Sequence, residues 1–279
     1  MWSKCDALSQ GTSGKDRIKP EKPLTVTVPL PPLFEQRRIV AKIEQLASKI
    51  GEARGLRDNA KVEAIALEAS ETEECFRQVT RDGIESVPFE VVCDRITVGQ
   101  VSSMRHAYCD SGIPFLRSQN VRRNRFEPDG LCYIGREFHD ANSKSKVQPG
   151  HVVIVQTGFV GTACVIPDEL SEANCSDLVV VHPGKGFDSR YASRFLNSLG
   201  GLERAPDASV GSAQRHYNVK VMRKTLIPVP PLPEQRRIVA YLADLQAKVD
   251  QLKTLQAQTA AELDALLPSI LDRAFRWEL

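Results

Sequence analysis

The sequence predicts a mixed α/β protein of the α+β kind. One strand-rich globular domain is held between two long helices that pack as an antiparallel coiled coil. Three observations predict it. A fifteen-residue stretch occurs twice, PLPPLFEQRRIVAKI at 29–43 and PVPPLPEQRRIVAYL at 228–242, identical at eleven positions and offset by 199 residues. Each copy leads into a long run with heptad-spaced apolar residues, whereas the residues between the copies are short β-branched runs separated by Gly/Pro turns. A period this long is not that of a solenoid, whose repeats recur every ~20–50 residues.

Taken in order, Leu24–Val28 alternates β-branched residues and predicts a short strand, and Pro29, Pro31 and Pro32 then impose an extended elbow. The first helix is predicted from Glu35 to about Gln78, roughly 65 Å at ~1.5 Å per residue. Its seam is Ile39, Ile43, Leu46 and Ile50, continued by Ala53, Ala60, Ala64 and Leu67. Gly51 and Gly55 either admit a close neighbour or mark a break. The second helix is predicted from Glu234 to about Phe275, with a seam of Ile238, Leu242, Leu245, Val249, Leu252, Gln256, Thr259, Leu263, Leu266 and Ile270. The polar pair Gln256 and Thr259 suits a register-fixing role, and Pro268 is expected to kink or end the helix near Leu267.

Between the helices, strands are predicted at Val91–Val92, Ile113–Leu116, Val152–Val155, Ala163–Ile166 and Leu178–Val181, with one helix at Ser189–Ser198. The expected organisation is an elbow segment at 1–33, a helix at 34–85, the globular domain at 86–227, and a second elbow and helix at 228–279.

Composition excludes more than it selects. The 37 Lys/Arg and 35 Asp/Glu nearly cancel, although residues 86–225 carry 17 against 14 while both helices are slightly acidic. Seven scattered cysteines without a CxxC pair read as reduced thiols. No apolar run approaches the ~18–20 residues of a membrane span, and MWSKCDALSQ lacks a signal-peptide core. A soluble cytoplasmic protein follows. There is no Gly-rich cofactor loop, no Asn/Asp-Pro-Pro-Tyr/Phe motif and no Walker lysine. The five histidines lack metal spacing, and neither Pro128-Asp129 nor Pro167-Asp168 has an acidic-x-Lys partner. No metal, cofactor or catalysis is therefore expected in this chain.

Three local clusters carry side chains of the kinds that bond polar partners. Arg117, Ser118, Gln119 and Asn120 follow a strand directly; Arg pairs with guanine edges and Asn or Gln with adenine edges, while Ser118 and Asn120 can equally satisfy the turn's own backbone. Arg122, Arg123 and Arg125 form the densest basic run, either a solvated face or a phosphate clamp. Gly211, Ser212, Gln214, Arg215 and His216 combine a flexible glycine, a hydroxyl, an amide, a guanidinium and an imidazole before Tyr217, a mixture that suits a loop entering a groove.

The doubled PPLxEQRRIV entry resembles the conserved regions of type I restriction-modification specificity subunits. So do Gly112–Val121, Lys146–Ile154, Thr157-Gly158-Phe159-Val160-Gly161 and Leu266–Leu271. The resemblance implies a non-catalytic subunit that reads one half of a split double-stranded DNA site and docks methyltransferase subunits along its helices, and through them restriction/translocase subunits. S-adenosylmethionine belongs to the methyltransferase partner. Family members carry two recognition domains; this sequence has one complete domain, with residues 8–28 resembling the end of another. A half-size form is implied, completed by homodimerisation or by a second specificity chain. The alternatives are a truncated interaction protein that binds modification subunits without reading DNA, and a nuclease, which the missing motifs disfavour.

Overall fold

The computed structural model describes residues 30–102, 104, 107–199, 217–276 and 278; the expected strand at 24–28, the first-elbow Pro29 and the segment 8–28 lie outside them. Helix α1 (Leu33–Arg81) is followed by strand β1 (Ser86–Pro88), a helical turn α2 (Phe89–Val92), β2 (Cys93–Val98), β3 (Tyr108–Cys109) and β4 (Ile113–Leu116). Then come β5 (Val121–Arg122), β6 (Arg125–Phe126), β7 (Cys132–Ile134), α3 (Arg136–Ala141) and β8 (Lys146–Val147). The remainder is β9 (Val152–Val155), β10 (Ala163–Val165), β11 (Ala173–Cys175), β12 (Leu178–Pro183), α4 (Ser189–Leu196), α5 (Val219–Lys224), β13 (Leu226–Pro228) and α6 (Leu232–Phe275). The chain divides into two compact units, Met1–Ala64 with Val249–Leu279, and Ile65–Lys248.

The first unit is a pair of antiparallel helical segments. Arg54 of α1 meets Asp264 of α6 at 2.6 Å, and three residues further along α1 the Arg57 guanidinium donates to the Gln256 carbonyl. The Gln256 side-chain amide returns a bond to the Arg57 carbonyl at 3.2 Å. Ile39, Ile43 and Leu46 are half-buried and Ile50 is buried on α1; Val249 is buried and Leu252 and Leu263 are half-buried on α6. The inward positions after Gln256 depart from the predicted seam. Ala260, Leu263, Leu267, Ile270 and Ala274 turn inward, while Thr259 and Leu266 are exposed. The cause is a choice of phase: a three-residue step and a four-residue step after Gln256 both land on a helix-compatible face, and consecutive leucines satisfy either. Thr259 instead donates to the Leu255 carbonyl of its own helix at 3.0 Å. Two further expectations are corrected. α6 does not end at Pro268 but continues to Phe275, and α1 runs unbroken through Gly51 and Gly55, where a Cβ would meet nothing within 4 Å, so neither glycine serves a close approach or a break.

The second unit is built on two sheets. A four-stranded antiparallel sheet runs β10-β9-β12-β2, and a five-stranded one runs β3-β7-β4-β11-β8, in which only β4 and β11 are parallel. β9 and the first four residues of β12 are buried on both faces, which explains why they read as unbroken apolar runs. Val152, Ile154, Val179 and Val181 face one core, where α4 presents Tyr191 and Phe195. Val153, Val155, Leu178 and Val180 face the other, packed on Leu116, Val121, Val147 and Cys175. The end of α1 joins the first core through Phe76, whose ring lies edge-on to Tyr191 at 5.3 Å and to Phe195 at 5.2 Å, and the start of α6 joins it through Ile238 and Leu242. Leu245 is half-buried one turn on. Val91–Val92 is not a strand: burying Phe89 against Phe187 curls this segment into α2 and leaves Val91 exposed.

The two Glu-Gln-Arg-Arg entries fold alike. Pro32 and Pro231 each accept the amides of the Glu and Gln that follow, and each Glu pairs with the Arg three residues on at 2.7 Å. Gln36 donates to the Pro31 carbonyl at 2.7 Å and Gln235 to the Pro230 carbonyl at 2.8 Å. Gln235 goes further. It is wholly buried, donates to the Gly186 carbonyl at 3.1 Å and accepts the Asp188 amide at 2.8 Å. Val229 and Val239 beside it pack on the core, whereas their counterparts Leu30 and Val40 are 82% and 51% exposed.

Gln235→Ala takes the partner from three backbone groups, of which the Pro230 carbonyl is buried, and is expected to lower the unfolding free energy by about 1–3 kcal/mol in urea titrations. Gln36→Ala, at a half-exposed position, costs less than about 1 kcal/mol in the same measurement.

The rings of His151 and His182 lie with centroids 3.9 Å apart and are tilted by 45°. Burial, and then the neighbouring His182, push the His151 imidazole down to about 4 from its ordinary 6.5, and its Nδ1 accepts the Gln148 amide at 3.1 Å. His182 is lowered by burial and by Arg95, with Asp94 opposing. Below the ordinary value the unfolded chain takes up a proton that folded His151 refuses. Stability is therefore lost as pH falls from about 6.5 to about 4 and levels off below that. Thermal melts from about pH 7 to about pH 5 should show a falling midpoint that His151→Asn, which keeps an acceptor for Gln148, flattens.

Candidate nucleic-acid interface

The strand-to-turn segment after β4 is held by its own side chains. Asn120 is 0% exposed, and its Oδ1 accepts the Arg117 amide at 3.0 Å while its Nδ2 donates to the carbonyls of Glu127 at 2.9 Å and Asp129 at 3.2 Å. Its backbone closes the same knot, receiving the Glu127 amide at 2.9 Å. As a reader of bases Asn120 is thus corrected: its carboxamide is consumed in bridging the end of β4 to the far side of the β5–β6 hairpin. Ser118 is half-buried and opens the 3-10 turn Ser118–Asn120.

Arg117 and Gln119 reach sideways. Both donate to the carbonyl of Gly130, at 3.0 and 2.9 Å, and the Arg117 guanidinium stands 6.0 Å from the centre of the Tyr108 ring. They pin the Pro128-Asp129-Gly130 turn, where Gly130 takes a positive φ of 69°. Burial pushes the Tyr108 phenol up, helped by Cys132 and opposed by the Arg117 charge.

The basic run occupies the β5–β6 hairpin. Arg122 and Arg125 pair across the two strands, and Arg123 and Asn124 make the turn, with Asn124 in the left-handed region at φ 58°. Asparagine tolerates that conformation better than other side chains carrying a Cβ, a signal that could have marked the turn within Arg-Arg-Asn-Arg. All three arginines are exposed; Arg125 pairs with Glu127 at 3.0 Å, and Arg123 donates to the Asn197 carbonyl at 2.6 Å.

Beneath the arginines lies a polar knot that sequence reading missed. Asn124 donates its amide to the Ala163 carbonyl at 2.9 Å, and its Oδ1 accepts from Ser193 at 3.0 Å and Asn197 at 2.8 Å. Asn197 also donates to the Ala163 carbonyl at 2.8 Å and accepts the Ala163 amide at 3.1 Å. The knot fixes the basic hairpin to β10 and to the end of α4. The Thr157-Gly158-Phe159-Val160-Gly161 turn, which links β9 to β10, belongs to the same edge. There Gly158 and Gly161 take positive φ and Phe159 projects into solvent.

Gly211, Ser212, Gln214, Arg215 and His216 lie outside the described residues. Their described flank begins at Tyr217, whose amide donates to the Gln156 carbonyl at 3.4 Å beside the Thr157 turn, and whose buried hydroxyl is 2.9 Å from that of Thr225. Asn197, on the other flank, is the residue that Arg123 holds. The structure therefore brings together the basic hairpin, the β9–β10 turn and both flanks of residues 200–216. Arg117 and Gln119 gather at the Gly130 turn instead. Among the described residues no group of three or more His, Cys, Asp or Glu could hold a metal ion, and no helix is long and apolar enough to cross a membrane.

Asn120→Ala should lower stability by about 2–3 kcal/mol, because three backbone groups lose their partner, whereas Gln119→Ala should stay within about 0.5 kcal/mol. Chemical denaturation of the two variants separates a structural amide from a surface one.

A model of the family described as "Type I restriction modification DNA specificity domain" matches residues 104–261. The chain is similar to the type I restriction enzyme EcoKI specificity subunit of Escherichia coli strain K12, at 23% identity, covering 99% of this chain and 62% of that protein. It is also similar to the EcoBI specificity subunit of Escherichia coli, at 21% identity, covering 90% and 58%. Among solved structures, the HsdS subunit from Thermoanaerobacter tengcongensis superposes with a TM-score of 0.63 at 29% identity, covering 97% of this chain and 65% of that one. A chain from a study of complex assembly and conformational transition of the type I R-M system superposes with a TM-score of 0.74 at 31% identity, covering 100% and 68%. The chain spans about three fifths of the length of the curated relatives it matches.

Proposed function

Because the chain belongs to the type I restriction-modification DNA specificity family, we propose that it is a non-catalytic recognition subunit whose domain at residues 86–227 reads one half of a split DNA site. One observation carries the reading. The β5–β6 arginines, the β9–β10 turn and both flanks of residues 200–216 meet at one edge of the domain, tied by Arg123–Asn197, Asn124–Ala163 and Tyr217–Gln156. Exposed guanidinium groups beside a polar, glycine-bearing segment suit phosphate positioning next to base contact.

Arg122, Arg123 and Arg125 serve as the phosphate clamp, and Gln214, Arg215 and His216 as base readers, with Gly211 and Ser212 admitting the approach. Arg117 and Gln119 act by holding the Gly130 turn, beside which Ser118 opens the 3-10 turn. The helices α1 and α6 dock the modification subunits, and through them the restriction/translocase subunits. S-adenosylmethionine and adenine methylation belong to those partners. The one complete recognition domain of this sequence reads half of a bipartite site, and the other half is read by a second copy in a homodimer on a split palindrome, or by a second specificity chain.

Co-expression with a type I modification subunit, followed by sequencing of methylated motifs, tests the reading. A split palindrome is the expected result. An asymmetric split site would instead mean that a second specificity chain completes the pair. Co-purification of the modification subunit with no methylated motif would favour an interaction protein that does not read DNA. In binding titrations, Arg123→Ala should weaken all duplexes about equally and reduce the salt slope by about one. Arg215→Ala should relax specificity by about 1–3 kcal/mol at one position. The reverse pattern would exchange their roles.

A further inference from the structure

Phe159 is the most exposed large hydrophobic side chain among the described residues, at 83%. It does not hang from a slack loop. The Phe159 carbonyl accepts the Thr162 amide at 3.1 Å, the Gly161 amide donates to the Val155 carbonyl at 2.9 Å, and the Val155 amide donates to the Thr162 carbonyl at 2.9 Å. Gly158 and Gly161, with φ of 82° and 83°, close the turn, and the strands on either side, β9 and β10, lie in the protein's interior. A ring presented this way is already ordered, so little entropy is lost when it meets a partner.

Its surroundings identify that partner. Ala163, four residues on, carries the Asn124 amide, so the hairpin bearing Arg122, Arg123 and Arg125 shares this edge. Glu127, the carboxylate on that hairpin's exit, is paired with Arg125. An exposed aromatic ring on the edge that also carries the guanidinium groups of Arg122 and Arg123 suits a stack of bases bordered by phosphates, because bases offer faces to the ring and phosphates offer charge to the arginines.

We infer that Phe159 is a wedge that enters the duplex at one base step and unstacks it, while Arg122 and Arg123 hold the flanking phosphates. The inference rests on the DNA-reading function proposed above and adds a form of specificity that needs no base-edge hydrogen bond. Pyrimidine–purine steps open most easily, so one such step should stand at a fixed place in the recognised half-site.

The test uses the full chain and a duplex library of random sequence, from which bound DNA is enriched, sequenced and probed with permanganate, which oxidises unstacked thymines. The expected result is an enriched motif with a reactive thymine at one fixed step. Phe159→Ala should lose that reactivity and bind about tenfold more weakly, while Phe159→Trp retains both. The thermal midpoint of Phe159→Ala should match that of the wild type, since the ring lies in solvent. If the wild type enriches a motif but Phe159→Ala binds it equally well with the same thymine pattern, the wedge is wrong and DNA reading stands. If the wild type enriches no motif, DNA reading falls and the wedge falls with it.

Discussion

Burial of β9 and β12 on both faces is the constraint on which the rest of the domain depends. Where a turn is anchored against such strands, part of its backbone faces the interior and side chains must satisfy it. The domain answers with carboxamides. Asn120 closes the turn after β4, Asn124 and Asn197 close the turn against β10, and Gln235 closes the junction with α6. Asn124, Asn197 and Gln235 bond groups that lie far apart in sequence, whereas Asn120 closes a local span, and each fixes where an exposed loop leaves the core. The exposed arginines and Phe159 inherit their positions from these hidden amides.

The large elements were legible because they rest on long-range pattern. Heptad spacing marked both helices, and unbroken apolar runs marked β4, β9, β10 and β12. The two- and three-residue strands β3, β5, β6, β8 and β11 carry too few residues to show an alternation, and their pairing comes from the sheet they complete. The phase of the α6 seam was undecidable between Leu266 and Leu267, since both are leucine and the choice is made by what the opposite helix offers. Val91 and Val92 misled because a single buried ring, Phe89, outweighed the strand preference of two valines.

The candidate site was partly legible for a similar reason. Arginines are visible as charge, and three of them are exposed on one hairpin. Whether an asparagine faces DNA or its own backbone depends on burial, which sequence does not display. In sequence Asn120 suits a reader or a brace, and the bonds of its carboxamide are those of a brace. In the sequence Phe159 is one member of a glycine turn, and its exposure follows from the burial of the strands on either side.

The second elbow has a consequence for how such chains can diversify. Gln235 recognises only main-chain groups, the carbonyls of Gly186 and Pro230 and the amide of Asp188. A clasp that grips backbone is indifferent to the side chains of whatever it grips. Reading loops can drift, or a whole domain can be exchanged for an unrelated one, provided the replacement offers one carbonyl and one amide at that spacing. The Glu-Gln-Arg-Arg entry works as a standard fitting, and its recurrence 199 residues apart is what a standard fitting looks like in a sequence.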